Sequence, residues 1–479
     1  MNREFFVNIL FLIVVNALIK PFYIFGIDRA VQNRVGEPIY GLYFALFSFT
    51  FLFQIINDFG IQNFNSREIS QHRHLLDKYV SSILSLKVVL GLLYLLVAVG
   101  ITAFIPRYWA VLPLVLHLAL YNILTSLRNY LTSNIAALGL YRLNSWLSVL
   151  DKILMIIICG ILLWIEPFKS YFTIEWFIYT QNATLLITVI VALMIVFRHI
   201  HTFKWQFKRP VFLSILRRSM PYALAIFLMT IYTRTDAVMI ERLLPDGDRQ
   251  AGIYASAYRL LDAVNTVGLL FAGLLMPMFS RQIQEKTDIT PLFRFSFNLI
   301  MVAALTVASS VWHFRTEIMQ VLYKQATPFS GDVLGILMGS FVAVSGTYIV
   351  STLIGAAGQV GRMNTIFISA FFINIALNFI LIQEYNALGA AISTCITQFF
   401  VLISLIFLSK KLDLLRGSFK WILRSIVFGI LSFSSSFMIK SHYFTDNWLI
   451  KIGLSILICG LLAVVMGFLN YKKIKTTIV

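Results

Sequence analysis

Acidic residues are scarce in this chain, with 21 Asp and Glu among 479 residues, and charged residues of both signs reach only 13 %. A water-soluble domain carries roughly a quarter charged residues, so a soluble multidomain enzyme is excluded. Cysteine is rarer still. Cys159, Cys395 and Cys459 each lie inside an apolar run without paired spacing, which excludes a disulfide framework and a thiolate metal centre and leaves them as small buried hydrophobes. GxSxG, HExxH and Walker A motifs are absent, and no loop carries paired carboxylates able to hold a metal and a sugar nucleotide. No stretch between apolar runs exceeds about 25 residues, too short for a catalytic domain on either side. With no ATPase domain, active transport would draw on an ion gradient, an external partner or downhill flow of cargo.

Apolar residues are abundant: 59 % of the chain, with a mean hydropathy of +0.83. That is the composition of an all-α integral membrane protein, because only helices and closed barrels satisfy their backbone polar groups within lipid. Apolar runs long enough to cross a bilayer, about 20 residues each, fall near 5–26, 38–60, 79–104, 108–130, 144–165, 173–197, 213–241, 251–280, 292–315, 331–357, 362–382, 386–409, 421–439 and 446–470. This gives fourteen spans. The N-terminus has Arg3 and then a long apolar run without a small-residue cleavage site, which reads as a retained first span. The net charge of +18 does not mark a nucleic-acid partner. The basic residues sit in short loops between spans, where they meet anionic headgroups and set orientation.

One side receives Arg67, Arg73, Lys78, Arg128, Arg142, the cluster from Arg198 to Arg218, Arg281, Lys286, Arg362 and the group from Lys410 to Arg424. Arg3 and the tail residues Lys472, Lys473 and Lys475 join it. The other side holds Arg29, Arg34, Arg107, Lys169, Arg242, Arg249, Arg315, Lys324 and Lys440. The bias places both termini in the cytoplasm.

The chain also repeats itself. Tyr40-Gly41-Leu42-Tyr43 corresponds to Ala251-Gly252-Ile253-Tyr254, and Ser66-Arg67 to Ser280-Arg281. Glycine at 41 and 252 permits close approach between neighbouring spans. Six spans per half is an even number, so the second copy inserts like the first. Two lobes related by a pseudo-two-fold axis along the membrane normal follow, with a substrate site between them. The divisions expected are an N-lobe over 1–205, a C-lobe over 206–410 and an accessory pair of helices over 411–479. The basic, aromatic stretch 198–219, with Pro210, suits an interfacial linker helix at the join.

Charge inside spans is costly, and such residues usually face a bundle interior or a wet cavity. In the eighth span Tyr254, Tyr258, Asp262 and Asn265 share one stripe with Arg259. At helical rise Arg259 lies roughly 12 Å and Asp262 roughly 17 Å from the outer end. Arg234, in the seventh span, and Lys20, in the first, reach a similar level, and three cations at one depth could make an anion site. The alternatives are local neutralisation, Arg259 by Asp262 and Arg234 by Asp236, and a Lys20 that snorkels to headgroups. Asp58, on a face with Gln54 and Asn57, could accept a proton or bind sodium, or pair with Arg67 or another loop cation. Asp151 and Lys152 are adjacent, so one is expected to face the cavity and the other a partner helix or lipid. Arg128 and Asn129 read as the end of the fourth span, and Asn374 and Asn378 as interhelical hydrogen-bonding groups. A duplicated helix pair with charge on its inner face points to a transporter.

Three stretches carry a resemblance: GEPIYGLYFALFSFTFLFQIINDFGIQNFNSREIS (36–70), PYALAIFLMTIYTRTDAVMIE with AGIYASAYRLLDAV and LLMPMFSR (221–281), and GAAGQVGRMNTIFISAFFINIALNFILI with YNALGAAISTCITQ (355–398). Together, in order and spacing, they resemble the multidrug/oligosaccharidyl-lipid/polysaccharide flippase superfamily, and within it the Wzx-like flippases of O-antigen or capsule repeat units. The resemblance implies two six-helix lobes around a cationic cavity, two further helices, and a bacterial inner-membrane location. The implied activity is alternating-access transfer of undecaprenyl-pyrophosphate-linked oligosaccharide to the periplasmic leaflet. Expected companions are the bilayer and other glycan-assembly proteins; from the residues themselves, Asp58, Asp151 and Asp262 are the candidates for sodium or proton coupling, and no other cofactor is expected. Arg259, in Ala257-Tyr258-Arg259-Leu260, matches a cavity arginine of related lipid II flippases. Where those place an arginine in the second span, this chain has Gln54, Asn57 and Asp58. Tyr254, Tyr258, Asn265, Tyr121 and Asn122 are candidate glycan contacts. The alternative is an ion-coupled small-molecule exporter of the same superfamily.

Overall fold

The computed structural model describes residues 3–62, 65, 76–200, 202–415, 420–441 and 447–468. Ser66, Arg67, Arg73, Arg416 and the tail lysines lie outside the described residues, as do the side chains of Arg3, Lys78, Arg218 and Lys420. Helix dominates, in the sequence of spans that the apolar runs predict. The first span comprises α1 (Arg3–Phe22), a π-helical stretch (Tyr23–Asp28) and α2 (Arg29–Val35). The second is α3 (Glu37–Leu52) and α4 (Gln54–Asp58). Then follow α5 (Leu76–Ala103), the short α6 (Pro106–Ala110), α7 (Leu112–Ala137), α8 (Tyr141–Trp164), the short α9 (Phe168–Tyr171), α10 (Ile174–Phe197) and α11 (Arg209–Leu243). The remainder is α12 (Gly247–Gln284), α13 (Thr290–His313), the short α14 (Arg315–Leu322), α15 (Pro328–Ala356), α16 (Val360–Tyr385), α17 (Ala387–Lys411), α18 (Lys420–Ser441) and α19 (Trp448–Val465).

Proline sets many of these boundaries. It occupies the first or second position of α3, α6, α7, α11, α13 and α15, where its missing N–H costs nothing and its fixed φ already suits a helix. Pro21 instead falls inside α1, and the backbone passes into π-helix two residues later. A ring there removes one ladder hydrogen bond and crowds the preceding turn. The second span breaks at Phe53, and α4 ends at Phe59 with φ 51°.

Two compact units are present, Met1–Gly252 and Ile253–Val479. In the first, α3 packs along α11, α10 along α7 and α8, and α1 along α8. Its boundary lies beyond 205 because α11 and the first turn of α12 pack on α3; compactness and internal repetition are different criteria and draw different lines. Glycine makes that packing possible. A Cβ on Gly41 would fall 1.8 Å from the Asp248 carbonyl oxygen, and one on Gly252 would fall 2.1 Å from that of Glu37. Each glycine of the sequence repeat therefore sits against the backbone of the other repeat's first turn. In the second unit α15 is the central helix, packed by α13 and α17, with 78 % of its apolar window buried. Helix α18 lies on α13, and α19 packs on both. Large apolar side chains such as Leu92, Leu96 and Ile430 are more than 60 % exposed, as lipid contact requires.

Residues 202–208 are not the interfacial helix expected of the basic linker. They run extended along α5. The backbone N–H groups of Thr202, Lys204 and Gln206 donate to Asp77 Oδ2 at 3.1 Å, Ser81 Oγ at 3.2 Å and Ser85 Oγ at 2.9 Å. Two residues of extended chain advance about 6.6 Å, close to the roughly 6 Å of four helical residues, so one side chain per helical turn meets every second amide. The stretch between the third and fourth spans likewise holds α6, and α7 continues past Arg128 to Ala137.

The glycine contact generates a test. Gly41→Ala is expected to cost about 3 kcal/mol through overpacking against backbone that cannot yield, lowering the midpoint of thermal unfolding in detergent. Gly100→Ala, with nothing within 4 Å of the added carbon, is expected to leave that midpoint unchanged or raise it.

Candidate functional site

In the first unit the charges of three spans converge. Helices α1 and α8 share a register: Asn16 Nδ2 donates to Ser148 Oγ at 2.9 Å. One turn further along each lie Lys20 and Lys152. The Asp151 carboxylate is 2 % exposed and has a cation on each oxygen, Arg128 Nη1 at 3.1 Å and Lys152 Nζ at 3.3 Å. Arg128 also donates to Asn129 Oδ1 at 3.1 Å. Lys20 lies within electrostatic range of Arg128, Lys152 and Asp151. Three cations thus face one carboxylate, an excess of two positive charges in a half-buried setting.

An aromatic platform adjoins this cluster. Lys152 Nζ lies 4.6 Å from the centre of the Tyr23 ring, within the π-helical stretch. Tyr121 on α7 is within electrostatic range of Lys152 and packs on Phe47 at 5.8 Å. Tyr43, Phe47 and Phe51 are four apart on α3, with centroids 6.2 and 6.0 Å apart in turn. The Arg234 guanidinium lies 6.0 Å from Phe47 and 5.5 Å from Phe51. Lys20 and Arg234, predicted site residues, therefore belong to one cation–aromatic stripe that includes Arg128 and Lys152.

This arrangement corrects three expectations. Asp151 and Lys152 do not face apart, since the lysine stem is long enough to curl back onto its neighbour's carboxylate. Arg128 lies within its span and is part of the cluster. Asn122 is fully buried and committed to packing, its Nδ2 donating to Thr50 Oγ1 and Tyr94 Oη, each at 3.1 Å.

Asp58 lies in a second polar network. Among the described residues its partner is Lys87 on α5, at 2.6 Å, with Lys87 also donating to Ser126 Oγ at 2.6 Å and to the Asn57 carbonyl at 3.3 Å; Arg67 lies outside the described residues. Asn57 and Gln54 both donate to the Asn122 carbonyl. Lys87 was missed in the sequence although the signal was plain: it is the only charge in the interior of α5. A third network closes the opposite end of the unit. Arg107 bonds Glu241 at 3.0 Å and also Asp248; Tyr108 donates to Glu241 at 2.6 Å, and Arg249 meets Glu37 at 3.4 Å. Burial, with the Glu241 carboxylate beside it, pushes the Tyr108 hydroxyl well above the usual phenol range.

In the second unit Arg259 and Asp262 form an i, i+3 pair at 3.8 Å with side chains 15 % and 28 % exposed. Asp262 is within electrostatic range of Tyr348 on α15. Tyr254 and Tyr258 pack at 5.6 Å and are both buried, while Asn265 is half-buried. Asn374 and Asn378 bond each other along α16 at 3.1 Å. Among the described residues no group of three or more His, Cys, Asp or Glu could hold a metal ion.

Comparison with known proteins agrees with this architecture. The family described as polysaccharide biosynthesis protein matches residues 7–284, more than half of the chain. No curated protein matches it. Among solved structures, a lipid II flippase, MurJ, in an inward closed conformation, superposes with a TM-score of 0.71 at 14 % identity, over 99 % of this chain and 100 % of that one. A mutant of the Vibrio cholerae MATE transporter VcmN gives 0.58 at 16 % identity, over 84 % and 94 %. A MOP superfamily transporter from Pyrococcus furiosus gives 0.59 at 13 % identity, over 85 % and 95 %. The chain belongs to the polysaccharide biosynthesis protein family and has the multi-pass fold of these transporters and flippases.

The buried pair at Asp58 is open to test. Asp58→Ala strands the Lys87 charge and is expected to destabilise the protein by roughly 3–5 kcal/mol. Adding Lys87→Met is expected to recover most of that loss. Equal unfolding midpoints in detergent for the wild type and Asp58→Ala would show that the pair bears no structural charge.

Proposed function

We propose that this member of the polysaccharide biosynthesis protein family is a flippase for oligosaccharide linked to a polyprenyl pyrophosphate. The observation that carries the reading is the stripe of Lys20, Arg128, Lys152 and Arg234 interleaved with Tyr23, Tyr121, Phe47 and Phe51. A pyrophosphate requires several cations in a site partly removed from water, where charge-assisted hydrogen bonds are strong. Sugar rings stack on aromatic faces, and a prenyl tail can remain in lipid. A stripe holding only paired charges would serve structure alone; the excess of two positive charges leaves capacity for an anion. The name of the solved lipid II flippase, a protein of the same fold, supports a lipid-linked cargo.

The remaining assignments belong to the same reading. Arg259, Tyr254, Tyr258 and Asn265 are assigned to the cargo. Asp58, Asp151 and Asp262 are the candidates for proton or sodium coupling, and Asp58 is the best placed, since its 21 % exposed side chain already shares its charge with Lys87. Lobes over 1–205 and 206–410, an accessory pair over 411–479, cytoplasmic termini, and transfer across a bacterial inner membrane complete it. In an alternating-access cycle the crossing of Gly41 on Gly252, with the Arg107 and Arg249 ion pairs around it, parts to open that end.

The test is a deletion strain. Loss of surface glycan with accumulation of the lipid-linked precursor is expected, restored by the wild-type gene. Lys152→Ala and Arg259→Ala, at equal membrane levels, are each expected to cut surface glycan by about tenfold or more, the value of one charge-assisted contact of roughly 1.5 kcal/mol or above. Normal glycan on deletion, with drug efflux lost instead, would favour an ion-coupled small-molecule exporter.

A further inference from the structure

A charged cavity of about 650 Å³ lies wholly within the second unit, where the C-terminal end of α13, the start of α14, the last turns of α18 and the first turn of α19 meet. Among the described residues its wall carries Arg315, Lys440 and Lys451 and no carboxylate. Outside the lining, Asp332 bonds Arg315 at 2.8 Å and Glu317 bonds Lys440 at 3.0 Å. Lys451 Nζ donates to the Lys440 carbonyl at 3.2 Å. Among the described residues three cations on the wall therefore meet two carboxylates.

The helices that carry the lining are tied together close by. Ser455 joins Ser310 at 2.9 Å and Ser436 at 2.6 Å, all three buried, and so links α13, α18 and α19 within about a turn of the lining residues Trp312, Phe437 and Lys451. The Trp312 ring lies 5.2 Å from the Arg315 guanidinium, and Phe433 packs 4.4 Å from His313. These contacts fix where the cationic heads stand. From the cavity an apolar track descends α18. Phe437, Phe433, Ile430 and Ile426 are spaced four, three and four apart, and are 60, 43, 61 and 54 % exposed. They form one stripe about 16 Å long at helical rise, against roughly 15 Å for the hydrocarbon of one leaflet.

We infer that this cavity holds the phosphate of an anionic diacyl phospholipid, whose chain lies on the α18 stripe, and that the lipid cements the C-terminal helix pair to α13. Charge complementarity selects an anionic headgroup over a zwitterionic one. The aromatic wall and the length of the stripe select an acyl chain over free phosphate. Nothing in this assignment depends on the cargo proposed above.

The test is native mass spectrometry of the purified full chain, equilibrated in detergent with equal amounts of phosphatidylglycerol and phosphatidylcholine carrying identical acyl chains. The wild type is expected to retain the anionic lipid about tenfold over the zwitterionic one, the worth of one charge-assisted contact. Lys451→Gln is expected to reduce that ratio towards one, Arg315→Lys to keep it, and Arg281→Gln, an exposed cation elsewhere in the unit, to leave it unchanged. Equal retention of both lipids by the wild type overturns the proposal, as does an undiminished ratio in Lys451→Gln. Displacement of phosphatidylglycerol by inorganic phosphate, or its outcompetition by undecaprenyl phosphate at equal concentration, overturns it in favour of a phosphate site or a site for the cargo lipid.

Discussion

Within a membrane a charge persists only beside a partner, and Asp151 is where this constraint governs the first unit. One nearly buried carboxylate, with a different cation on each oxygen, draws α7 and α8 together. It neutralises one positive charge of three and holds the others at a fixed place within a region of low dielectric. The same atoms therefore stabilise the helix packing and leave an electrostatic demand for an anion. Tyr23, which meets Lys152, opens the π-helical stretch just past Pro21. One face of that stretch, with Tyr23, Ile27 and Asp28, is buried.

Paired charge at Asp58 and Lys87, and again around Glu241, follows the same rule with a different balance. There the cations and carboxylates are matched, and the networks join helices. The contrast between matched and unmatched clusters separates ionic groups whose charge is already balanced from those with charge left over for an anion. In the second unit, the described residues of the α13–α18–α19 cavity show the unmatched pattern once more, at helix ends and not in helix interiors.

Much of this was legible in the sequence. Long apolar runs placed the spans, and the repeated glycines at 41 and 252 foretold a close approach, because only a missing Cβ allows backbone to touch backbone. Lys20 and Arg234 were visible as charges at one depth. What stayed hidden depends on long side chains and tertiary register. Lys152 curls onto its neighbour, which helical geometry at the Cβ level argues against. Arg128 resembled a loop cation because polar residues follow it, yet α7 continues for two more turns. Lys87 gave a clear signal, a solitary charge in an apolar helix, but its partner on α4 could be found only from the fold. The linker 202–208 was misread as a helix because side-chain composition does not reveal that Ser81, Ser85 and Asp77 offer one acceptor per helical turn to an extended chain.

The central claim is that the unmatched cations of the first unit carry a lipid-linked pyrophosphate across the membrane. The most direct measurement reconstitutes the purified protein in liposomes containing a fluorescent polyprenyl-pyrophosphate oligosaccharide in both leaflets, with an impermeant glycosidase added outside. The account predicts that, with the protein present, nearly all the cargo becomes cleavable, and that a triple Lys20→Gln, Arg128→Gln, Lys152→Gln variant recovered in folded form leaves the inner half protected. Protection of that half by the wild-type protein, under an imposed proton or sodium gradient as well as without one, would contradict it.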